Sequence, residues 1–254
     1  MSLLHRLLLL VFLSLVPAAV IEVNNELALR ESRVTEAQQG ALHLAALVEA
    51  EQERMVDGLR LLLGTLVKSD AVRAPDQPAC QAMMDDLRAS YPAYLNIHVI
   101  DRDGTIRCAT DRPALGLSIA DRPHFREALA TGAVTLGEHV RQRSNGRLAL
   151  PIAMPFFNEE GRVAGVVTAL TDISWIESFL SKNPLPSGGR VTLADRRNTI
   201  IAQVPALPGR VGNVLPPAFA ALMDAGEPGV TEANGLDGLP RIVAFRPTKF
   251  GLDG

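Results

Sequence analysis

Residues 95–109 read Leu95-Asn96-Ile97-His98-Val99-Ile100-Asp101-Arg102-Asp103-Gly104-Thr105-Ile106-Arg107-Cys108-Ala109. Leu95, Ile97 and Val99 alternate with other residues at the period of a β-strand that turns one face to a core. Asp103-Gly104 is a hairpin turn signal, and Thr105 to Ala109 is the returning strand. Working outward, Asp121 to Thr131 (DRPHFREALAT) predicts a helix, with Asp121 as N-cap, a proline in the first turn and Gly132 as its stop. Strand signals then cover Ala133–Val140, Arg147–Phe157 and, after the turn Asn158-Glu159-Glu160-Gly161, Arg162–Asp172. The order strand, hairpin, helix and three strands describes an α+β unit on an antiparallel sheet.

The same order recurs further on. Val191 to Ile200 echoes His98 to Ile106, both carrying Asp-Arg, two turn residues and Thr-Ile. Phe219, in Pro-Pro-Ala-Phe-Ala-Ala-Leu-Met, echoes Phe125, and Gly238–Pro247 echoes Gly146–Pro155. Asn183 to Gly189 has the composition of a linker. Chance similarity between two α+β segments is the alternative to a duplication. The second copy breaks off at Phe250 to Gly254, where its last strand is expected to begin, so it reads as truncated.

Upstream, Leu7 to Ile21 is apolar and follows Arg6. With Leu3 and Leu4 it nears the ~20 residues that cross ~30 Å of hydrocarbon, with the N-terminus inside and the rest outside. A signal peptide cleaved after Val16-Pro17-Ala18 is the other reading. From Val23 to about Lys68 there is no proline, and Leu27, Val34, Ala37, Ala41, Leu44, Val48, Met55, Leu59, Leu62 and Leu66 form one helical stripe. Such a helix would be ~65–70 Å long. Its Leu-rich second half is expected to pack on the globular part, while its first half is open to either packing or dimer contact. Pro75 and Pro78 are expected to end it, before a short helix near Ala79–Ser90. The expected division is therefore 1–21 as cytoplasmic tip and membrane helix, 22–70 as stalk, 71–182 as a membrane-distal unit and 183–254 as an incomplete membrane-proximal unit.

Composition narrows the function. The chain has 254 residues and a net charge of −3, without the basic excess that nucleic acid demands. The five histidines, at 5, 43, 98, 124 and 139, lack ligand-like spacing, and two cysteines without CxxC are too few for a structural zinc site. There is no GxSxG, HExxH, P-loop or GxGxxG after a strand. No catalytic residue, metal or cofactor is therefore expected. Cys80 and Cys108, placed outside the inner membrane, could pair; the ~28-residue loop would be worth ~3 kcal/mol, the alternative being two buried thiols.

With a membrane helix, a stalk, two PAS-like units in tandem, Gly116 to Gly132 (GLSIADRPHFREALATG) and Gly161 to Val167 leading to Asp172-Ile173, the chain resembles a double Cache sensor domain over its whole length. The resemblance implies an extracytoplasmic small-ligand sensor of a bacterial transmembrane receptor, closest to those preceding diguanylate cyclase or histidine kinase modules. It also implies a ligand held in the distal unit, inner-membrane localisation and an output domain beyond a second span. The alternatives are the N-terminal part of a diguanylate cyclase or sensor histidine kinase whose catalytic domain is missing, and a secreted periplasmic binding protein. In amino-acid-binding relatives the motif has an arginine, a Trp and Tyr just after it, and an aspartate on the last strand. Arg122 and Asp172 match; His124 and Phe125 stand at the aromatic positions, and Leu117 where an upstream Tyr is expected. An anionic metabolite fits these departures, with Arg122 clamping a carboxylate. The competing readings are an ion pair from Arg122 to Asp121 or Glu127, a helix cap for Asp172, core packing for Phe125 and an ordinary half-exposed place for His124. Arg141, Arg143 and Arg147 form a basic cluster, at the pocket mouth or on a solvated hairpin. The partners expected are the small ligand, the membrane and a second copy through the stalk.

Overall fold

A strand bonded on both edges can bury both of its faces, and three strands among the described residues do so. The computed structural model describes residues 3–74, 77–90, 95–172 and 175–247, with side chains from Val20 onward except at 23, 77 and 95. The helix α1 runs without interruption over Leu3–Leu66, followed by α2 (Asp70–Arg73) and α3 (Gln77–Ser90). Next come β1 (Leu95–Asp101), β2 (Ile106–Ala109), a 3-10 turn at Arg112–Ala114 and α4 (Pro123–Thr131). Then follow β3 (Thr135–Leu136), β4 (Val140–Arg141), β5 (Leu148–Phe157), β6 (Val163–Asp172) and α5 (Trp175–Lys182). The remaining elements are β7 (Val191–Ala194), β8 (Ile200–Val204), α6 (Pro217–Asp224), β9 (Gly229–Asn234) and β10 (Pro240–Phe245).

The main sheet has six strands in the order β2-β1-β6-β5-β3, with β4 also on β5. All its pairings are antiparallel, and β6 sets the register: Val167 lies opposite Val99 on β1 and Met154 on β5, and Ala169 opposite Ile97 and Ile152. Because side chains alternate across a strand, those residues share a face. Leu59, Leu63 and Leu66 of α1 and Cys80 and Met84 of α3 bury that face, together with Phe156. The opposite face carries Ile100, Ala153 and Val166, covered by Ala114, Ile119, Phe125 and Ala128. Cys80 and Cys108 are disulfide-bonded across α3 and β2, with Cα atoms 6.0 Å apart.

Several expectations need correcting. The first helix stops at Leu66, where Val67, Lys68 and Ser69 close a terminal turn, rather than at the prolines. Pro75 lies outside the described residues, and Pro78 sits in the first turn of α3, where its missing N–H matters least. The strand expected at 133–140 is two short strands either side of Gly137, which β5 approaches so closely that a Cβ there would lie 2.5 Å from Pro151 Cγ. Beyond residue 183, β7–β8 and β9–β10 are each a two-stranded antiparallel sheet. The expected start of a further strand, at 250–254, lies outside the described residues.

The chain divides after Leu47 and again after Ala225 into two compact units. In the one containing the start of α1, Val20, Ile21, Leu27 and Leu29 are exposed. The β9–β10 hairpin pairs Arg241 with Ala233, and Arg241 Nε donates to Asp237 Oδ1 at 3.1 Å, which holds the carboxyl far below the usual range. Among the described residues no helix is long and apolar enough to cross a membrane. The span expected at 7–21 has a helical backbone, but its side chains up to residue 19 are outside the described residues.

Candidate functional site

The helix α4 covers the centre of the sheet because of its ends. Pro123 opens it with φ already set, and Gly132 closes it in the left-handed region at φ 64°. Arg122, not Asp121, occupies the N-cap, and no side chain caps the helix. The Asp121 carboxylate instead accepts Arg143 Nη2 at 2.7 Å, because the loop carrying Arg143 reaches back over the helix start. Arg143 also donates to the Ser118 carbonyl.

Beneath α4 the sheet is polar. Asn96 and His98, alternating with the apolar positions of β1, lie on this face, and His98 stands opposite Thr168 on β6. His98 Nε2 meets Asp111 Oδ1 at 2.5 Å, and Ser144 Oγ donates to the other carboxylate oxygen at 2.5 Å. Burial works against the charge of Asp111, but the bonds from His98 and Ser144 outweigh it and lower the pKa. Asn96 Nδ2 donates to Gln142 Oε1 at 2.6 Å, and Thr110 Oγ1 accepts the Ile97 N–H at 2.8 Å. Gln142, Thr110 and Thr168 are all buried.

His124 is 4% exposed, not half-exposed as expected. A Cβ on Gly137 would lie 2.8 Å from His124 Cβ, so the imidazole packs into the notch that this glycine leaves against Pro151. Burial above all, then the nearby Arg122 and His98, lower its pKa to about 4, and it is neutral at pH 7. Phe125 is 2% exposed within the apolar cluster of this face, so it packs in the core rather than facing a ligand.

Arg122 pairs with neither Asp121 nor Glu127; its Nη2 donates to the Arg141 carbonyl at 3.0 Å. Arg141 itself is exposed and donates to the Gly146 carbonyl at 2.8 Å. Asp172 forms an ion pair with Arg147; the first residues of the helix it was expected to cap, 173 and 174, lie outside the described residues. Each arginine of the basic cluster thus has its own partners: Arg141 the Gly146 carbonyl, Arg143 Asp121 and the Ser118 carbonyl, and Arg147 Asp172. Arg122, His124 and Arg141 come together at the start of α4, and Asp172 stands at the end of β6 beside Arg147. Among the described residues no group of His, Cys, Asp and Glu could hold a metal ion.

Sequence reasoning missed His98, Thr168, Asp111 and Gln142. Polar residues alternating with apolar ones normally mark a solvent face, and only the cover supplied by α4 and the preceding loop makes them interior. It also missed a tie to the β7–β8 turn. His139 Nδ1 meets Asp195 Oδ2 at 2.7 Å, Glu138 pairs with Arg197 at 2.5 Å and Glu127 with Arg196 at 3.6 Å. Asp195 is buried, which alone would raise its pKa, but the bonds from His139 and from backbone N–H groups lower it.

Residues 27–252 match the pattern of the Cache domain. No curated protein matches the chain. Among solved structures, the extracellular domain of rpHK1S-Z16, assigned as a histidine kinase, superposes with a TM-score of 0.71 at 21% identity, over 87% of this chain and 90% of that one. The ligand-binding domain of the Pseudomonas aeruginosa PAO1 amino acid chemoreceptor PctC, in complex with GABA, superposes at 0.62 and 21% identity, over 85% and 95%. That of the Pseudomonas fluorescens chemoreceptor CtaA, in complex with L-isoleucine, does so at 0.62 and 18% identity, over 85% and 87%. At these identities the likeness establishes the fold.

Proposed function

The chain belongs to the Cache domain family, and from that premise we propose that it is the extracytoplasmic small-ligand sensor of a membrane-bound bacterial signalling receptor. The observation that carries the reading is the buried polar face under α4, where His124, near Arg122 and His98, is buried above the paired His98 and Thr168 of the sheet. Interiors are ordinarily apolar, and a polar face kept out of water with uncommitted groups is a ligand site's signature. Arg122 supplies a guanidinium suited to a carboxylate, which makes the ligand a small anion. Asp172 and Arg141 flank the site through Arg147 and Gly146.

Occupancy would shift a two-state equilibrium, provided the ligand prefers one state. The ties from Glu127, Glu138 and His139 to Asp195, Arg196 and Arg197 give the shift a path from the site to β7–β8. In this reading residues 1–21 anchor the chain in the inner membrane and 22–70 form the stalk. Residues 71–182 and 183–254 are the membrane-distal and membrane-proximal units, and the output module is a kinase, a cyclase or a chemoreceptor domain. The exposed Val20, Ile21, Leu27 and Leu29 are the apolar surface on which a second copy would pair. The test is a thermal-shift screen of the chain against small metabolites. A raised melting temperature with at least one anion is expected, and flat curves across a broad panel would overturn the reading.

A further inference from the structure

Two buried polar side chains on the α4-covered face make no hydrogen bond within the described residues, and the Thr168 hydroxyl is fully enclosed. Thr168, 1% exposed, lies between His98 and Ala153 of the flanking strands, and its Oγ1 has no hydrogen-bond partner. His124 packs against Pro151, which shares a face with Ala153, and makes no hydrogen bond among the described residues. A buried polar group without a partner is strongly unfavourable, so native structures rarely keep one unless something else fills the need.

The acids around them are in the opposite condition. Asp111 is held by His98 and Ser144, Asp121 by Arg143 and Asp172 by Arg147. Glu127 and Glu138 face Arg196 and Arg197. Every carboxylate bordering the site therefore already has a cation or donors of the protein's own. What stays uncommitted is a hydroxyl and a neutral imidazole, with the Arg122 guanidinium beside them.

We propose that the ligand is a small carboxylic acid without an ammonium group, and that the Thr168 hydroxyl and the His124 imidazole read its carboxylate. The inference rests on the sensor reading and narrows it. A hydroxyl and an imidazole N–H each donate one hydrogen bond to a carboxylate, whereas an ammonium would have to dislodge Arg147 from Asp172 to find a counter-charge.

Titration calorimetry on the full chain in detergent, with the matched pairs propionate and L-alanine, and succinate and L-aspartate, tests this. The expected result is binding of at least one acid, with its amino counterpart at least about tenfold weaker. Thr168→Val is expected to weaken that acid by about tenfold or more, and Thr168→Ser to keep it within about threefold. Without ligand, Thr168→Val is expected to melt at or above the wild-type temperature, because it removes an unpaired buried hydroxyl at constant shape. A purely structural threonine would not combine unchanged or higher stability with lost binding. Equal or tighter binding of the amino acids would overturn the ligand class and leave the sensor reading standing. Acid binding untouched by Thr168→Val would overturn the reading of Thr168. No binding from either member of both pairs would overturn the proposal, and flat melting curves across the broader panel would bring down the sensor reading as well.

Discussion

The two faces of the six-stranded sheet are built from the same strands and are both buried, yet they differ in kind. Toward α1 and α3 the strands present Ile97, Val99, Ile152, Phe156, Val167 and Ala169, with Leu63 and Met84 fully enclosed against them. Toward α4 they present His98 and Thr168 beside Ile100, Ala153 and Val166. The first face is a close-packed hydrocarbon layer whose contribution scales with the area it removes from water. The second gives up part of that contribution to keep hydrogen-bonding groups out of solvent, where they act with greater strength and selectivity. Burial alone therefore does not distinguish core from site; the bonding state of the buried polar atoms does.

The largest effect should come from the apolar face. Leu63→Ala removes a side chain with no exposed surface, and a loss of about 3–4 kcal/mol is expected in urea unfolding. Ligand specificity should not change, and a change would break the division between the faces. Acidification should act through the other face. His124 falls from an ordinary 6.5 to about 4 in the folded chain, so between these values the unfolded chain binds more protons. Stability is complete above about pH 6.5 and is lost as pH falls through 4, by roughly 3 kcal/mol in total. Melting curves from pH 7 to 4 should show this decline, and His124→Gln should flatten it; an equally steep decline in the variant would contradict the assignment.

Smaller effects sharpen the contrast. Asp111→Asn weakens the bonds of both His98 and Ser144, and about 1–2 kcal/mol should be lost in the urea midpoint with an unchanged slope. Arg122→Ala removes one bond to the Arg141 carbonyl from a half-buried side chain. It should cost less than about 1 kcal/mol of stability while weakening any bound anion by tenfold or more in calorimetry. This is the reverse of the pattern expected for Leu63→Ala, and a large loss of stability with intact binding would place Arg122 among the structural residues.

Local rules made much of the fold legible. Alternation and an Asp-Gly turn delimit β1 and β2 to within a residue, a proline and a glycine bracket α4, and β5 and β6 each begin one residue later than expected. The cap at Asp121 was misread because its carboxylate goes to Arg143, 22 positions away, and no local pattern encodes that choice. The strand expected at 133–140 was misread because, beyond the bond from the Gly137 N–H to the Pro151 carbonyl, the register slips by one residue before Val140 meets Ala149. Among the candidate residues, Arg122 and His124 were legible from the motif that contains them. Phe125 turned out to be core, and Thr168 looked like one more β-branched residue in a strand.

The sequence by itself determined where strands, turns and helices fall and which side chains share a face, since those follow from backbone geometry repeating along the chain. It determined equally that the second half of the first long helix is apolar enough to pack. Only the tertiary structure decided what covers each face. That decision turned an alternation ordinarily read as solvent-facing into an interior one, left the Thr168 hydroxyl without a partner and assigned each surrounding carboxylate its cation or donors. The physical reason is that desolvation and ion pairing depend on groups brought together from distant parts of the chain, whereas periodicity records only neighbours.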